Sequence, residues 1–195
     1  MAVEINPIPL FGSWDLGFAL DTHVIESIPL GEDAYGYFHF ENKRSPIGEL
    51  LYQFKYNSRY DNLAEIVDTI ICFLDAHPQM KNIETVLPVP PTKVRGYQPT
   101  FEIAQALAKA MKVFYCTDVL VNTSQIEAKG LSASEKHQLA GTIVKRKPAT
   151  RKHSTLLIDD LYQTGTTLNQ CVSVLRKDPL IDNIYVLTIT KTKNQ

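Results

Sequence analysis

Two adjacent carboxylates, Asp159 and Asp160, follow the apolar run Leu156-Leu157-Ile158 and precede Gln163-Thr164-Gly165-Thr166-Thr167. An apolar strand that ends in acids and turns through a Thr/Gly loop into a helix places them where open α/β sheets bind ligands. The loop's backbone N–H groups and the helix N-terminus favour an anion, Gly165 permits close backbone approach, and the hydroxyls of Thr164, Thr166 and Thr167 add donors. A phosphate monoester suits such a cradle. Carboxylates beside a phosphate would repel it unless they face another group, and vicinal sugar hydroxyls can donate to both acids. The implied ligand is a sugar phosphate. Two other readings use the same residues: the acids merely end a strand and cap a helix, or the run is a Walker B strand that binds Mg²⁺. The second needs a Gly-x-x-x-x-Gly-Lys-Ser/Thr loop, which the sequence does not contain.

The chain that must position these residues has 195 residues, 44% apolar and 21% charged, enough for one domain with a sizeable core. Its longest apolar run, Ile70 to Leu74, is five residues, against roughly 20 for a membrane-crossing helix. No Lys or Arg precedes Lys43, so the basic start of a secretory signal is missing and a cytoplasmic protein is expected. Cys72, Cys116 and Cys171 are too far apart for a Cys-x-x-Cys zinc site and read as packing residues. The five histidines show no partner pattern, and none is assigned as a base. Net charge is −1 but uneven: residues 1–42 hold seven acids and no Lys or Arg, leaving +6 on the remainder to attract an anion. A pI near 6.5 does not support a general nucleic-acid binder, and Lys145-Arg146-Lys147 and Arg151-Lys152 read as solvated turn charges.

Ser45 and Pro46 suit a helix start, with Ile47, Leu50, Leu51 and Phe54 at helical spacing. Asn62 with Glu65 forms a capping-box-like pair at the head of a second helix. Ile83 to Val89 reads as a strand and Pro99 to Lys112 as a helix. The same order recurs in Thr155 to Ile158, the helix marked by Leu168, Cys171, Val172 and Leu175, and the strand Ile184 to Ile189. Strands alternating with helices predict an α/β fold with a mostly parallel sheet flanked by helices. Residues 1–42 are expected to form an acidic N-terminal extension or hood of short antiparallel strands, and residues 43–195 the ligand-binding domain.

Ile158 to Thr167 resembles the phosphoribosyl pyrophosphate (PRPP) motif of type I phosphoribosyltransferases. Three further segments resemble the ComF branch of that group: Gly48 to Tyr56, Leu87 to Pro91 with Arg95-Gly96-Tyr97, and Lys129 to Ser132 with Glu135-Lys136. The resemblance spans roughly residues 45 to 191. Gln163 stands where the motif usually has a hydroxyl residue, Gln98-Pro99 replaces the usual Asn-Gln, and the N-terminal zinc module of many ComF-like proteins is missing.

The resemblance implies that Asp159 and Asp160 hold ribose hydroxyls and that Gln163 to Thr167 hold the 5′-phosphate. It also implies that Lys93 and Arg95 lie beside the pyrophosphate and that Lys129 sits on a loop closing over the site. Mg²⁺ is expected with PRPP, and the implied reaction is transfer of phosphoribosyl to a nitrogenous acceptor. The alternative is a non-catalytic PRPP- or nucleotide-binding accessory protein in DNA uptake or recombination. No motif defines the acceptor, a protein partner or the oligomeric state.

Overall fold

The computed structural model describes residues 1–33, 35–91, 96–123 and 143–193. Long runs of branched apolar residues build its centre. The elements in chain order are β1 (Ile8–Pro9), β2 (Leu16–Thr22), β3 (Val24–Glu32), β4 (Phe38–Arg44), α1 (Pro46–Tyr56), α2 (Asn62–Ala76) and β5 (Ile83–Pro88). After these come α3 (Pro99–Met111), β6 (Phe114–Tyr115), β7 (Leu120–Asn122), β8 (Ile143–Lys145), β9 (His153–Tyr162), α4 (Thr166–Leu175) and β10 (Ile181–Lys191).

Six strands form one sheet in the order β1-β2-β10-β9-β5-β6. Every neighbouring pair is parallel except β1 with β2. Side-chain alternation sorts the central strands between two cores. Leu156, Ile158, Leu187 and Ile189 pack against Ile47, Leu51 and Phe54 of α1, Ile66 and Ile70 of α2, and Ile103 and Leu107 of α3. Leu157, Ile184 and Val186 pack on the other face against Leu168, Cys171, Val172 and Leu175 of α4. Burial on both faces explains why β9 and β10 read as continuous apolar runs. The fold is the expected α/β arrangement of a mostly parallel sheet flanked by helices.

Ser45 caps α1 as its position predicts: its Oγ accepts from the Gly48 N–H at 3.1 Å and donates to the Thr22 carbonyl at 2.5 Å. At α2 the expected Asn62–Glu65 box does not form. Asp61 is the N-cap residue and makes no side-chain cap bond, while Asn62 Nδ2 donates to the Leu50 carbonyl at 3.3 Å and ties α2 to α1. Cys72 is exposed, not packed, whereas Cys171 is buried.

Residues 16–22 differ from the expectation for the first 42 residues. Strand β2 pairs in parallel with β10, Tyr185 opposite Leu16 and Thr190 opposite Asp21, so it is a full member of the central sheet. An alternating pattern cannot reveal which distant strand will be its neighbour. Strands β3 and β4 are antiparallel, as expected, and form a separate two-stranded ribbon. Strand β4 begins only at Phe38, because Asp33 Oδ1 accepts from the Tyr35 and Tyr37 N–H groups and turns the chain before it.

Candidate functional site

Strand β9 runs to Tyr162, four residues beyond the expected end, so both acids lie inside it. Alternation therefore sends them to opposite faces, Asp159 toward α4 and Asp160 toward α1. The Asp160 N–H donates to Asp159 Oδ1 at 2.8 Å. Asp160 Oδ2 pairs with Lys55 Nζ at 2.7 Å, with both side chains largely covered, at 15% exposure for Lys55 and 21% for Asp160.

Thr190 on β10 donates its hydroxyl to the Asp160 carbonyl at 3.2 Å and stands 3.2 Å from His23 Nδ1. Burial, with Arg44 and Lys55 nearby, pushes the His23 imidazole below its ordinary range. On the other face Asp159 has no cation at hydrogen-bonding distance among the described residues. Burial, followed by the neighbouring Asp160 charge, pushes its carboxyl up to about 8. The two acids thus sit in opposite electrostatic settings: one is matched by a lysine, while the other has no such cation and its carboxyl is pushed up by burial and by its neighbour's charge.

Gly165 heads α4 with φ 74° and ψ 3°, a left-handed conformation that L side chains rarely adopt. A Cβ there would lie 2.7 Å from the Tyr162 hydroxyl, so both backbone and space call for glycine. Gly165 has no side chain to cap the helix start, and Thr164 Oγ1 accepts from the Thr166 N–H only at 3.5 Å, so a bound anion can take the first-turn N–H groups. Thr164 Oγ1 and Thr166 Oγ1 are 3.0 Å apart at the rim. Asn169 braces the turn from within α4, donating through Nδ2 to the Gly165 carbonyl at 3.1 Å.

Two adjoining cavities make use of these groups. The smaller, about 100 Å³, lies between Asp159 and the 164–168 turn. The larger, about 330 Å³, is bounded by Asp159 and Asp160, by Lys55 and Tyr56, by Val89 to Pro91, and by Gln98 to Phe101. Asp159, Leu161, Gln163 and Thr167 line both, so a single ligand can reach from the carboxylates to the turn.

The structure therefore brings together Asp159, Asp160, Gln163, Thr164, Gly165, Thr166 and Thr167. Lys93, Arg95 and Lys129 lie outside the described residues. Lys55 and Tyr56 line the larger cavity and are additions that the sequence reading did not place at the site, while His23 stands behind Asp160 beside Thr190. Lys55 could have been noticed as the cation that closes the segment resembling ComF proteins, but only the packing of α1 beside β9 shows what it faces.

Among the described residues no three side chains of His, Cys, Asp and Glu converge on a point that could cage a metal ion. Two adjacent carboxylates with only one matching lysine do suit a hard cation carried in on a ligand's own oxygens. No helix of the described chain is long and apolar enough to cross a membrane.

No protein-family model matches the chain, and no curated protein matches it. Solved structures of adenine phosphoribosyltransferases are similar to it at low identity. One is 13% identical, with 83% of this chain and 84% of that one covered and a TM-score of 0.45. The enzyme from Saccharomyces cerevisiae, complexed with an imino-altritol bisphosphate and adenine, is 12% identical over 83% of each chain, with a TM-score of 0.43. The enzyme from Thermoanaerobacter pseudethanolicus is 12% identical over 86% of this chain and 95% of its own, also with a TM-score of 0.43.

Proposed function

We propose that the chain binds PRPP with Mg²⁺ and transfers the phosphoribosyl group to a nitrogenous acceptor. One observation carries this reading: a carboxylate pair on β9 shares a continuous cavity wall with an uncapped, left-handed glycine turn at the head of α4. Asp159 and Asp160 accept hydrogen bonds from the ribose hydroxyls. The N–H groups and hydroxyls of Thr164 to Thr167 hold the 5′-phosphate, with Gln163 and Thr167 on the wall between.

Transfer forms a C1–N bond as the C1–O bond to pyrophosphate breaks. Pyrophosphate leaves with the electron pair, and the acceptor nitrogen loses a proton. Positive charge grows on the ribose ring, where the adjacent carboxylates stabilise it, and negative charge grows on the departing pyrophosphate. By resemblance, Lys93 and Arg95 are assigned to the leaving group and Lys129 to a loop that closes over the site. Mg²⁺ on the ligand's oxygens, next to Asp159 and Asp160, would supply charge neutralisation there.

A second reading draws on the Lys55–Asp160 pair. Asp160 already has a cation from within the chain, which suits a binding protein that holds PRPP or a nucleotide without turnover. Such a protein would be an accessory factor in DNA uptake or recombination.

Isothermal titration with PRPP and Mg²⁺, followed by pyrophosphate release screened over purines, pyrimidines and ammonia, separates the readings. Binding with release supports transfer; binding without release over the whole screen supports the second reading. Asp159→Asn with Asp160→Asn is expected to abolish PRPP binding. Unchanged affinity would remove the ribose assignment.

A further inference from the structure

The ribbon of β3 and β4 is a two-stranded sheet that pairs with no other strand of the described chain. Residues 25–32 and 38–43 are nearly all exposed, among them Leu30 at 64%, Phe38 at 66% and Phe40 at 54%. An isolated pair of strands is marginal in water, and further strands or a covered apolar face are needed to hold it. The root of the ribbon is fastened: Arg44 stacks 3.6 Å from the Tyr52 ring centroid, and Lys193 Nζ donates to the Ile25 carbonyl. Beyond the root the ribbon is bare.

Its two edges are unequal. The β3 edge contains Pro29, which has no N–H, and Gly31 in a left-handed conformation, with a register irregularity between them. Strand β4, Phe38-His39-Phe40-Glu41-Asn42-Lys43-Arg44, contains neither proline nor glycine, and its outer edge is open. Phe38 and Phe40 alternate onto one face, where Phe40 lies opposite Pro29, while Glu41 and Lys43 share the other face with Ile28 and Glu26.

Charge is graded along the ribbon. Its tip carries Glu32 and Asp33, the latter 2.8 Å from His39 Nε2, and its root carries Lys43, opposite Glu26, and Arg44, which pairs with Glu49 at 3.2 Å. An antiparallel copy of the same strand lays tip against root. With the two-fold axis at Phe40, that residue meets Phe40 of the partner subunit, and His39 meets the partner's Glu41. Lys43 then comes to the tip turn of the other copy, beside its acids. Cross-strand aromatic and opposite-charge pairs of this kind stabilise antiparallel sheets. The absence of Lys or Arg from residues 1–42 disfavours nucleic acid and anionic lipid as the covering surface.

We propose that two copies of this chain associate through β4, edge to edge about a two-fold axis at Phe40, forming a four-stranded antiparallel sheet. The contact is isologous and closes on itself.

Sedimentation velocity of the full chain tests this, with a species of twice 22.0 kDa expected. Phe40→Lys sets like charges face to face and is expected to weaken the dimer about tenfold or more, while circular dichroism and thermal unfolding keep the wild-type signature. Phe40→Cys in a Cys72→Ser background is expected to cross-link on oxidation, because directly opposed residues of antiparallel strands lie within disulfide reach. A wild-type chain that stays monomeric at high micromolar concentration overturns the proposal. So does a dimer that Phe40→Lys leaves intact and Phe40→Cys fails to cross-link, since it would use another surface.

Discussion

Lys55 Nζ reaches Asp160 Oδ2 at 2.7 Å, joining the last turn of α1 to the final residues of β9. The link spans more than a hundred residues of sequence and supplies the only cation within salt-bridge distance of either carboxylate among the described residues. Lys55→Met would leave Asp160 charged beside Asp159. Removing one partner of a buried pair costs about 3–5 kcal/mol. Both groups keep some contact with water, so about 1–3 kcal/mol is expected here. Urea unfolding of Lys55→Met, Asp160→Asn and the double variant checks this. The double variant is expected to recover most of the loss, and strict additivity would show that the pair is not coupled.

Asp159 makes stability depend on pH in a direction opposite to most carboxylates. Its ordinary value is 3.8, and burial with the Asp160 charge raises it to about 8 in the folded chain. Between those values the folded state holds a proton that the unfolded state has released, so stability falls as pH rises and levels off above about 8. Asp159→Asn removes this dependence. Its thermal midpoint is expected to exceed that of the wild type by more at pH 8.5 than at pH 5, and equal differences at both would contradict the assignment.

Gly165→Ala places a Cβ 2.7 Å from the Tyr162 hydroxyl at φ 74°. Left-handed backbone costs an alanine about 1–2 kcal/mol, and relief of the contact requires the Tyr162 ring or the turn to shift. Weaker PRPP binding, by about tenfold or more, is expected from a turn that no longer aims its N–H groups together. Calorimetry measures this, and unchanged affinity would show that the turn does not hold the phosphate.

The sequence made legible what depends on local pattern. The apolar runs of β9 and β10, the Ser45-Pro46 helix start and the Thr/Gly turn before α4 all appear where spacing and residue type place them, because each is decided within a few residues. What long-range packing decides was not visible. The parallel neighbour of β2 is chosen by β10, nearly 170 residues away. Asn62 takes a partner in α1 in place of Glu65, and Lys55 becomes a site residue only once α1 lies along the sheet. Splitting the carboxylates between two faces follows from four additional residues of strand, an extent that charged residues ordinarily discourage.

Asp178 should govern acid sensitivity away from the site. The Ala149 and Leu180 N–H groups donate to its carboxylate at 2.8 Å and 3.0 Å, and Lys145 pairs with it. Together, with the Ala149 bond first, they lower its pKa to about 2. A depressed value means that this stabilisation is complete above about pH 4 and is lost as pH falls toward 2. Asp178→Ala leaves two N–H groups without their acceptor, and a loss of about 1–3 kcal/mol at pH 7 is expected. The difference from wild type in denaturant titrations should shrink at pH 2.5; a constant difference would contradict this account.

Ser13, Trp14 and Asp15 grip both ends of α4. The Ser13 hydroxyl donates to Asn169 Oδ1 at 2.9 Å near its start, Asp15 Oδ2 pairs with Arg176 at 2.5 Å past its end, and Trp14 is buried between, its indole N–H bonded to the Leu10 carbonyl. Shortening the chain from the front, or fusing a bulky carrier against this tripeptide, would therefore slacken the helix whose first turn is proposed to hold the phosphate. Ligand affinity then becomes a gauge of how the leading residues are attached.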